Sequence, residues 1–269
     1  MSTTEIPASL VKELRDLTGA GMMDCKRALQ ETDGDLDAAR VLLRERGMAQ
    51  AGKRAGRETT EGRVLVRSEA GVGAIVAVGC ETEPVSNNDE FRAFAEKALD
   101  GVFHDGEGVA DKLEGERVEL VAKLGENIVI RTERQLQAIG AEDLAQYVHT
   151  PANKIGVLLR YRGEDGDAAR RVAMHIASEA PQWLTREQAP EDAVSAEREI
   201  YRNSDEVQSK PEQARDKIVE GMLTKRFFAA KGGALLDQAY IYETNKNVGQ
   251  ALDEAGIEVV DFVRASVTE

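Results

Sequence analysis

Histidine, cysteine, aromatic residues and long apolar runs are all scarce in this chain of 269 residues. Aromatic residues make up only 4% of it, so a packed core must be built mainly from aliphatic side chains. The three histidines, His104, His149 and His175, have no metal-ligand spacing to one another or to the cysteines. No apolar run approaches the roughly 20 residues that span a bilayer, and the N-terminus lacks a secretory-signal pattern. These absences predict a cytoplasmic protein that neither crosses a membrane nor holds a metal.

Positive charge is also in deficit, and this narrows the class of partner. The formal net charge is −14, so the overall field repels the phosphates of nucleic acid and of anionic membranes. We expect no direct binding to nucleic acid, whereas the net charge does not exclude binding to another protein. Cys25 and Cys80 are the only cysteines, and each lies in an apolar pattern. Two buried, reduced thiols fit a reducing compartment better than a disulfide framework.

No pattern of side chains in the sequence predicts an enzyme. The segment from Gly47 to Arg54 matches most of a phosphate-binding P-loop, but Arg54 stands where Ser or Thr should bind magnesium. The segment also follows a predicted helix rather than a strand, so we interpret it as part of a linker. No nucleophile, base and orienting residue can be nominated together, and we expect no cofactor.

The first 50 residues show the periodicity of three short helices, which we expect to end at Gly47. Residues 48–60 are predicted to be a linker, with partial helix formation as an open alternative. Gly19 and Gly21 release the backbone between the first two helices, beside Met22 and Met23. Each methionine could be core filler. Two in a row cannot both point inward, so we expect at least one to be available to a partner.

The rest of the chain predicts an α+β fold. A β-hairpin followed by a helix occurs twice, at 62–99 and at 147–180, which suggests two related antiparallel subdomains. Two charged helical stretches at 191–203 and 211–226 are predicted to form an antiparallel hairpin. A helix at Val248–Ala255 and a final strand complete the pattern.

A short connection, Cys80 to Ser86, separates the first hairpin from its helix. Pro84 fixes its own φ and biases Glu83 toward an extended conformation, so we expect a stiff protrusion that presents a carboxylate beside an apolar ring. From these residues alone, an ordinary strand-to-helix connection is nevertheless the favoured interpretation.

Six segments carry a resemblance to a known family. Their sequences are LVKELRDLTGAGMMDCKRALQETDGDLDAARVLLRERG, KRAGRETTEG, ETEPVSNNDEF, HTPANKIGVLL, KPEQARDKIVEGML and NKNVGQALDEAGIEVVDFVR. They follow one another in the family's order over nearly the whole chain. In these segments the chain closely resembles bacterial translation elongation factor Ts.

The resemblance implies a guanine nucleotide exchange factor that acts in translation elongation, a step of protein biosynthesis. Its partner would be elongation factor Tu, the GTPase that carries aminoacyl-tRNA. It implies a ubiquitin-associated-like, GTPase-docking domain with its linker at 1–54 and two core subdomains at 55–145 and 146–269. The second subdomain would include the helical hairpin (about 191–226) and a C-terminal module (about 246–269).

The resemblance also assigns roles to individual residues. Arg15, Met22 and Met23 would grip a helix of the GTPase, and His149 and the helix that begins at Val248 would make further contacts. The family's magnesium-dislocation loop typically reads Thr-Asp-Phe-Val. Here it reads Thr82, Glu83, Pro84 and Val85, which keeps the negative charge and loses the aromatic ring. An adaptor that binds without promoting exchange stays open as an alternative function. Assembly into a homodimer stays open as an oligomeric state.

Overall fold

The computed structural model describes residues 6–268 of this α+β protein. Over these residues the helices are α1 Ala8–Thr18, α2 Met22–Glu31, α3 Leu36–Arg54, α4 Glu83–Ser86, α5 Asp89–Asp105, α6 Val109–Lys112, α7 Glu114–Leu124, α8 Gly166–Glu179, α9 Glu191–Arg202, α10 Asp205–Gln208, α11 Glu212–Met222 and α12 Val248–Ala255. The strands are β1 Glu61–Glu69, β2 Val72–Cys80, β3 Val129–Gln137, β4 Glu142–Val148, β5 Ile155–Arg162, β6 Ala239–Tyr240, β7 Glu243–Asn247 and β8 Glu258–Ser266.

The strands form three small sheets, in the orders β1-β2-β3, β4-β5-β8 and β6-β7. Strands β4 and β5 pair antiparallel from Glu142 opposite Arg162 to Val148 opposite Gly156. The mixture of helices with small antiparallel sheets confirms the predicted α+β class.

The described chain divides into two compact units. The first contains residues 6–65, 76–134 and 266–268, and the second contains residues 66–75 and 135–265. The finer division at 1–54, 55–145 and 146–269 stays a prediction.

The N-terminal helices of the first unit surround a small aliphatic core. Its buried side chains come from one stripe of each helix: Val11, Leu14, Cys25, Ala28, Leu29 and Ala39. Helix α1 ends at Gly19, whose φ of 66° lies in the left-handed region. Glycine is favoured there by this conformation; a Cβ would also lie 2.5 Å from Cε of Lys123 on α7, a contact that a shift of the flexible lysine side chain would relieve.

The expected end of the third helix at Gly47 is wrong, because α3 continues to Arg54. Gly47 is buried, and a Cβ there would lie 3.1 Å from Cβ of Ala122 on α7. Ala51, one turn further on, is 4% exposed. The alanines of this segment favour a helix, and packing against α7 offsets the cost of two glycines. Most of the predicted linker is therefore helical.

Helix α5 begins where its sequence indicates. The Asn88 side chain accepts hydrogen bonds from the backbone N–H groups of Glu90 (2.8 Å) and Phe91 (3.4 Å), as an N-cap should. The helix then buries the stripe Phe91, Phe94, Ala95, Ala98, Leu99 and Val102.

In the second unit, α8 packs on β4 and β5, and α12 packs beside α8. Helices α9 and α11 pack against each other around buried Val194, Tyr201 and Val219. Arg198 pairs with Glu220 at 3.0 Å and Arg202 with Asp216 at 3.1 Å. From the first ion pair to the second, the residue number rises along α9 and falls along α11, so the two helices run antiparallel.

His175 on α8 is fully buried and hydrogen-bonded on both ring nitrogens. The backbone N–H of Ile241 donates to Nδ1 at 3.4 Å, which leaves Nε2 to donate to Oε1 of Gln238 at 3.1 Å. Gln238 is itself oriented, because its Nε2 donates to the carbonyl of Ala230 at 2.9 Å. Burial lowers the pKa of His175, and this effect outweighs the opposing effects of the Gln238 hydrogen bond and the Glu179 charge. The site therefore holds a neutral imidazole.

Acid should destabilise the fold through His175. The ordinary pKa of histidine is 6.5, and below that pH the unfolded chain binds a proton at His175 that the folded chain does not. The contribution of neutral His175 to stability is therefore complete above pH 6.5 and is lost as the pH falls below it. The loss is at most about 1.4 kcal/mol per pH unit. His175→Gln cannot titrate, so the gap in free energy of unfolding between wild type and this variant should narrow as the pH falls. Denaturant titrations across this range measure the gap. His104→Gln, at an exposed position, is the control, and an equal narrowing in both variants would contradict the assignment.

Candidate functional site

The 82–85 loop (Thr82, Glu83, Pro84 and Val85) connects β2 to α5 and contains most of the one-turn helix α4. Thr82 is extended, with φ −130° and ψ 154°, and Glu83 is the first helical residue. The expected extended conformation of Glu83 is therefore wrong. Proline disfavours a helical residue before it but does not forbid one, and in the first turn its missing N–H costs nothing. Backbone N–H groups of Ser86 and Asn87 close the turn onto the carbonyls of Thr82 and Glu83, each at 3.1 Å.

The loop presents its carboxylate and its proline ring at the surface. Thr82, Glu83 and Pro84 are exposed, Val85 is half-buried and Ser86 is buried. A carboxylate beside a rigid apolar ring is thus available to a second molecule. Two further hydrogen bonds to the carbonyl of Glu83, from the Ser86 hydroxyl (2.8 Å) and the Asn87 amide (3.2 Å), stiffen the turn.

The start of the loop is held by Glu126, which lies just after α7. Its Oε2 accepts from the backbone N–H groups of Glu81 (3.1 Å) and Thr82 (3.0 Å), and its Oε1 accepts from the Thr82 hydroxyl. In the other direction, Oε1 of Glu81 accepts from the backbone N–H of Asn127 at 2.7 Å. Sequence reasoning missed Glu126, because no local pattern links it to a segment more than 40 positions earlier.

The end of the loop is held by Arg63 on β1. Its Nε donates to the carbonyl of Ser86 at 2.9 Å, and its Nη2 donates to Oδ1 of Asn87 at 2.8 Å. Arg92 donates to the same Asn87 oxygen at 3.0 Å. Burial lowers the pKa of the Arg63 guanidinium, and the positive charge of Arg92 lowers it further. Sequence reasoning missed Arg63 as well, since alternation on β1 shows only which way it points.

A second exposed feature of the first unit is the methionine pair, Met22 and Met23. They are the first two residues of α2, with 48% and 62% of their surface exposed. Leu17, near the end of α1, is 58% exposed, and Arg15, two residues earlier, is also exposed. We expected at least one methionine at the surface, and the structure places both there. Flexible thioether side chains of this kind adapt well to the surface of a partner.

The remaining two predicted contact residues lie in the second unit. His149 is exposed after β4, with Nδ1 2.8 Å from the hydroxyl of Tyr147. Val248 is fully buried, so the expected partner contact of the helix that it begins would be made by other side chains of that helix. It is the first residue of α12, where Asn247 and Gln250 form a reciprocal capping box, and it packs inward with Leu252. The exposed residues of α12 are Gln250, Asp253 and Glu254.

Residues 6–268 contain no cluster of three or more His, Cys, Asp or Glu side chains that could hold a metal ion. Both cysteines are buried and unbridged, and burial raises the pKa of Cys25. In the same range, no helix has the length and apolar character needed to cross a membrane.

Comparison with known proteins gives the family. A family model described as "Elongation factor TS" matches residues 81–269. The proteins named elongation factor Ts from Halorhodospira halophila and Idiomarina loihiensis are 41% and 40% identical to this chain over 276 and 274 residues. These alignments cover 98% of this chain and 92% and 91% of the relatives. The chain belongs to the elongation factor Ts family.

Membership of the elongation factor Ts family confirms the resemblance that six sequence segments carry, and it makes the chain an elongation factor of protein biosynthesis. A third relative named elongation factor Ts, from Escherichia coli O139:H28, is 38% identical over 269 residues, with 98% of this chain covered. The family model starts at Glu81, so it includes the 82–85 loop. The methionine pair lies before the residues that the family model matches, so only the alignments with the relatives, which cover 98% of this chain, reach that part of the sequence.

Proposed function

We propose that this chain is the guanine nucleotide exchange factor for elongation factor Tu. It binds the GDP-bound GTPase, displaces magnesium and promotes release of GDP, so that GTP can bind. The observation that carries this proposal is identity of about 40% to elongation factor Ts proteins along nearly the whole chain. The exposed and anchored 82–85 loop supports it, because it supplies the acidic projection that the mechanism needs.

Exchange of this kind makes and breaks no covalent bond, so the chain acts by coupled binding. Suppose that a protein binds the nucleotide-free GTPase more tightly than the GDP-bound GTPase. By thermodynamic linkage, it must then weaken the binding of GDP in the same ratio. Bound magnesium neutralises much of the charge on the diphosphate. A carboxylate that enters the magnesium site and disturbs the coordination of the ion therefore weakens GDP binding.

Glu83 is the residue we assign to that competition. Its side chain is exposed at the start of a closed helical turn, with both ends of the loop anchored by Glu126 and Arg63. Pro84 stands where the family typically has phenylalanine. A proline ring keeps an apolar, rigid projection but offers no aromatic face to stack on.

Other parts of the chain would supply affinity. We assign GTPase docking to Arg15 and the methionine pair, and further contacts to His149 and the exposed side of α12. We retain the division into a ubiquitin-associated-like N-terminal domain (1–54) and two core subdomains (55–145 and 146–269). The antiparallel pair α9 and α11 would be the helical hairpin of the second subdomain. The net charge of −14 disfavours direct contact with tRNA or with anionic membranes, and we place the function in the cytoplasm.

One observation favours a second candidate function. Because Pro84 replaces the usual aromatic ring, the loop could be too weak to move the magnesium site. The chain would then be an adaptor that binds elongation factor Tu without changing its nucleotide. The first experiment below separates the two functions.

Catalytic amounts of the chain should accelerate release of labelled GDP from elongation factor Tu. Stopped-flow fluorescence with a labelled nucleotide measures the rate as a function of factor concentration, and a pull-down measures binding in parallel. Binding without any acceleration, at every dose, would contradict exchange and support the adaptor.

The double variant Glu83→Ala/Pro84→Ala should slow the maximal rate of GDP release by about tenfold or more, because transition-state contacts worth about 1.4 kcal/mol or more are lost. Affinity for nucleotide-free elongation factor Tu should change by only about twofold, since docking uses other surfaces. Glu96→Ala, an exposed change on α5, is the control. If the double variant exchanges like wild type, the loop is not the exchange element.

The variant Met22→Ala/Met23→Ala should act the other way. Burying each exposed methionine contributes roughly 1.5–3 kcal/mol, so affinity should fall by about tenfold or more while the maximal release rate persists. The thermal unfolding midpoint should not move, because both side chains are exposed. Val41→Ala, at a position 54% exposed on α3, is the matched control. Unchanged affinity would show that the pair makes no contact.

A further inference from the structure

The geometry points to Glu126 as a positioning residue that sets the direction in which the 82–85 loop presents Glu83 and Pro84. Glu126 would touch neither the nucleotide nor the metal of a partner. It acts through the loop, so the inference rests on the proposed exchange function.

Three donors from two consecutive residues converge on the Glu126 carboxylate. The backbone N–H groups of Glu81 and Thr82 point at one oxygen, and the Thr82 hydroxyl points at the other. The carboxylate is half-buried, and hydrogen bonds to a charged acceptor are about twice as strong as neutral ones. Its contacts fix the two peptide planes on either side of Glu81 and the side chain of Thr82, the residue before Glu83.

The contact is reciprocal. Glu81 directs its own carboxylate at the backbone N–H of Asn127 (2.7 Å), and Arg57 contacts the other Glu81 oxygen at 3.4 Å. Asn127 in turn donates its side-chain amide to the carbonyl of Arg57 at 2.9 Å. In each of the two segments, 81–82 and 126–127, a glutamate carboxylate therefore accepts hydrogen bonds from backbone N–H groups of the other segment.

Thr82 gives an independent sign that this contact matters. As the N-cap of α4, a threonine ordinarily accepts a hydrogen bond from its own helix, a contact that stabilises the helix by about 1 kcal/mol. The Thr82 side chain makes no such cap and instead donates its hydroxyl to Glu126. The local stability of the turn is thus reduced in favour of an anchor outside the turn.

The other contacts of the turn do not replace Glu126. Ser86 and Asn87 close the turn on itself, which fixes its shape but not its direction. Arg63 holds the far end, at the carbonyl of Ser86. Without Glu126 the turn would stay formed, but the start of the loop would keep only the Glu81 contacts and the Cys80 thiol, which donates to the carbonyl of Thr82 at 3.3 Å. Glu83 would then approach a metal site along a wider range of directions.

The test is Glu126→Gln in the full-length chain, with Glu96→Gln on α5 as the matched control. Glutamine is nearly isosteric, but it offers one acceptor oxygen and places an NH₂ donor against the donors of the loop. We expect the maximal rate of GDP release from elongation factor Tu to fall by about tenfold, with affinity for the nucleotide-free GTPase changed by about twofold at most. Amide hydrogen exchange at Glu81 and Thr82 should become faster than in the control.

A double-mutant cycle separates positioning from a general structural role. In the Glu83→Ala/Pro84→Ala background, Glu126→Gln should slow release little further, because nothing remains to be positioned. An equal slowing in both backgrounds, or a variant that exchanges like the control, would overturn the inference. Thr82→Val, which removes only the hydroxyl donor, should give a smaller slowing, and it decides the matter if Glu126→Gln does not fold. A Thr82→Val rate equal to wild type would then overturn the inference.

Failure of the proposed function gives a different result. If wild type itself does not accelerate GDP release, the exchange function fails. Hydrogen exchange at residues 81 and 82 then still reports whether Glu126 orders the loop. Equal protection in Glu126→Gln and Glu96→Gln would overturn the positioning inference on its own.

Discussion

A loop that keeps its acidic side chain in solvent cannot be held by that side chain, so it depends on what holds its two ends. In this protein Glu126 and Arg63 meet that constraint from opposite sides of the 82–85 loop. Both direct charged groups mainly at backbone atoms of residues 81, 82 and 86, with side-chain partners only at Thr82 and Asn87, so neither anchor uses the side chain of Glu83 or Pro84. The tip is therefore free to vary in sequence, and Glu83 and Pro84 can occupy it without loss of the local fold.

Much of the architecture follows from simple periodicity. The aliphatic stripes of the first three helices, the N-cap at Asn88 and the helix that begins at Val248 are all readable along the chain. They are readable because each depends on residues within a few positions of one another. The same local reasoning predicts the exposure of one methionine of the pair but not of both.

The errors and omissions have a common cause in tertiary contact. The end of α3 was misplaced because Gly47 usually interrupts a helix, whereas here its lack of a side chain admits Ala122 of α7. Glu83 was expected to be extended because of Pro84, but hydrogen bonds from Ser86 and Asn87 close the turn. Val248 was identified by its place in a family pattern, which does not tell the core side of a helix from its outer side. Glu126 could not be found at all, since its partners are 44 and 45 positions away.

The close approach of α3 to α7 has a mechanical consequence. Gly47 meets Ala122 and Gly19 meets Lys123, so α3 and the end of α1, the helix that carries Arg15, rest on the last turn of α7. The chain leaves that turn through Gly125 and reaches Glu126 at once. One short stretch of backbone thus touches α1 and α3 on one side and leads directly into the anchor of the 82–85 loop on the other. A displacement of these helices against α7 would therefore also shift Glu126, which holds the start of the loop.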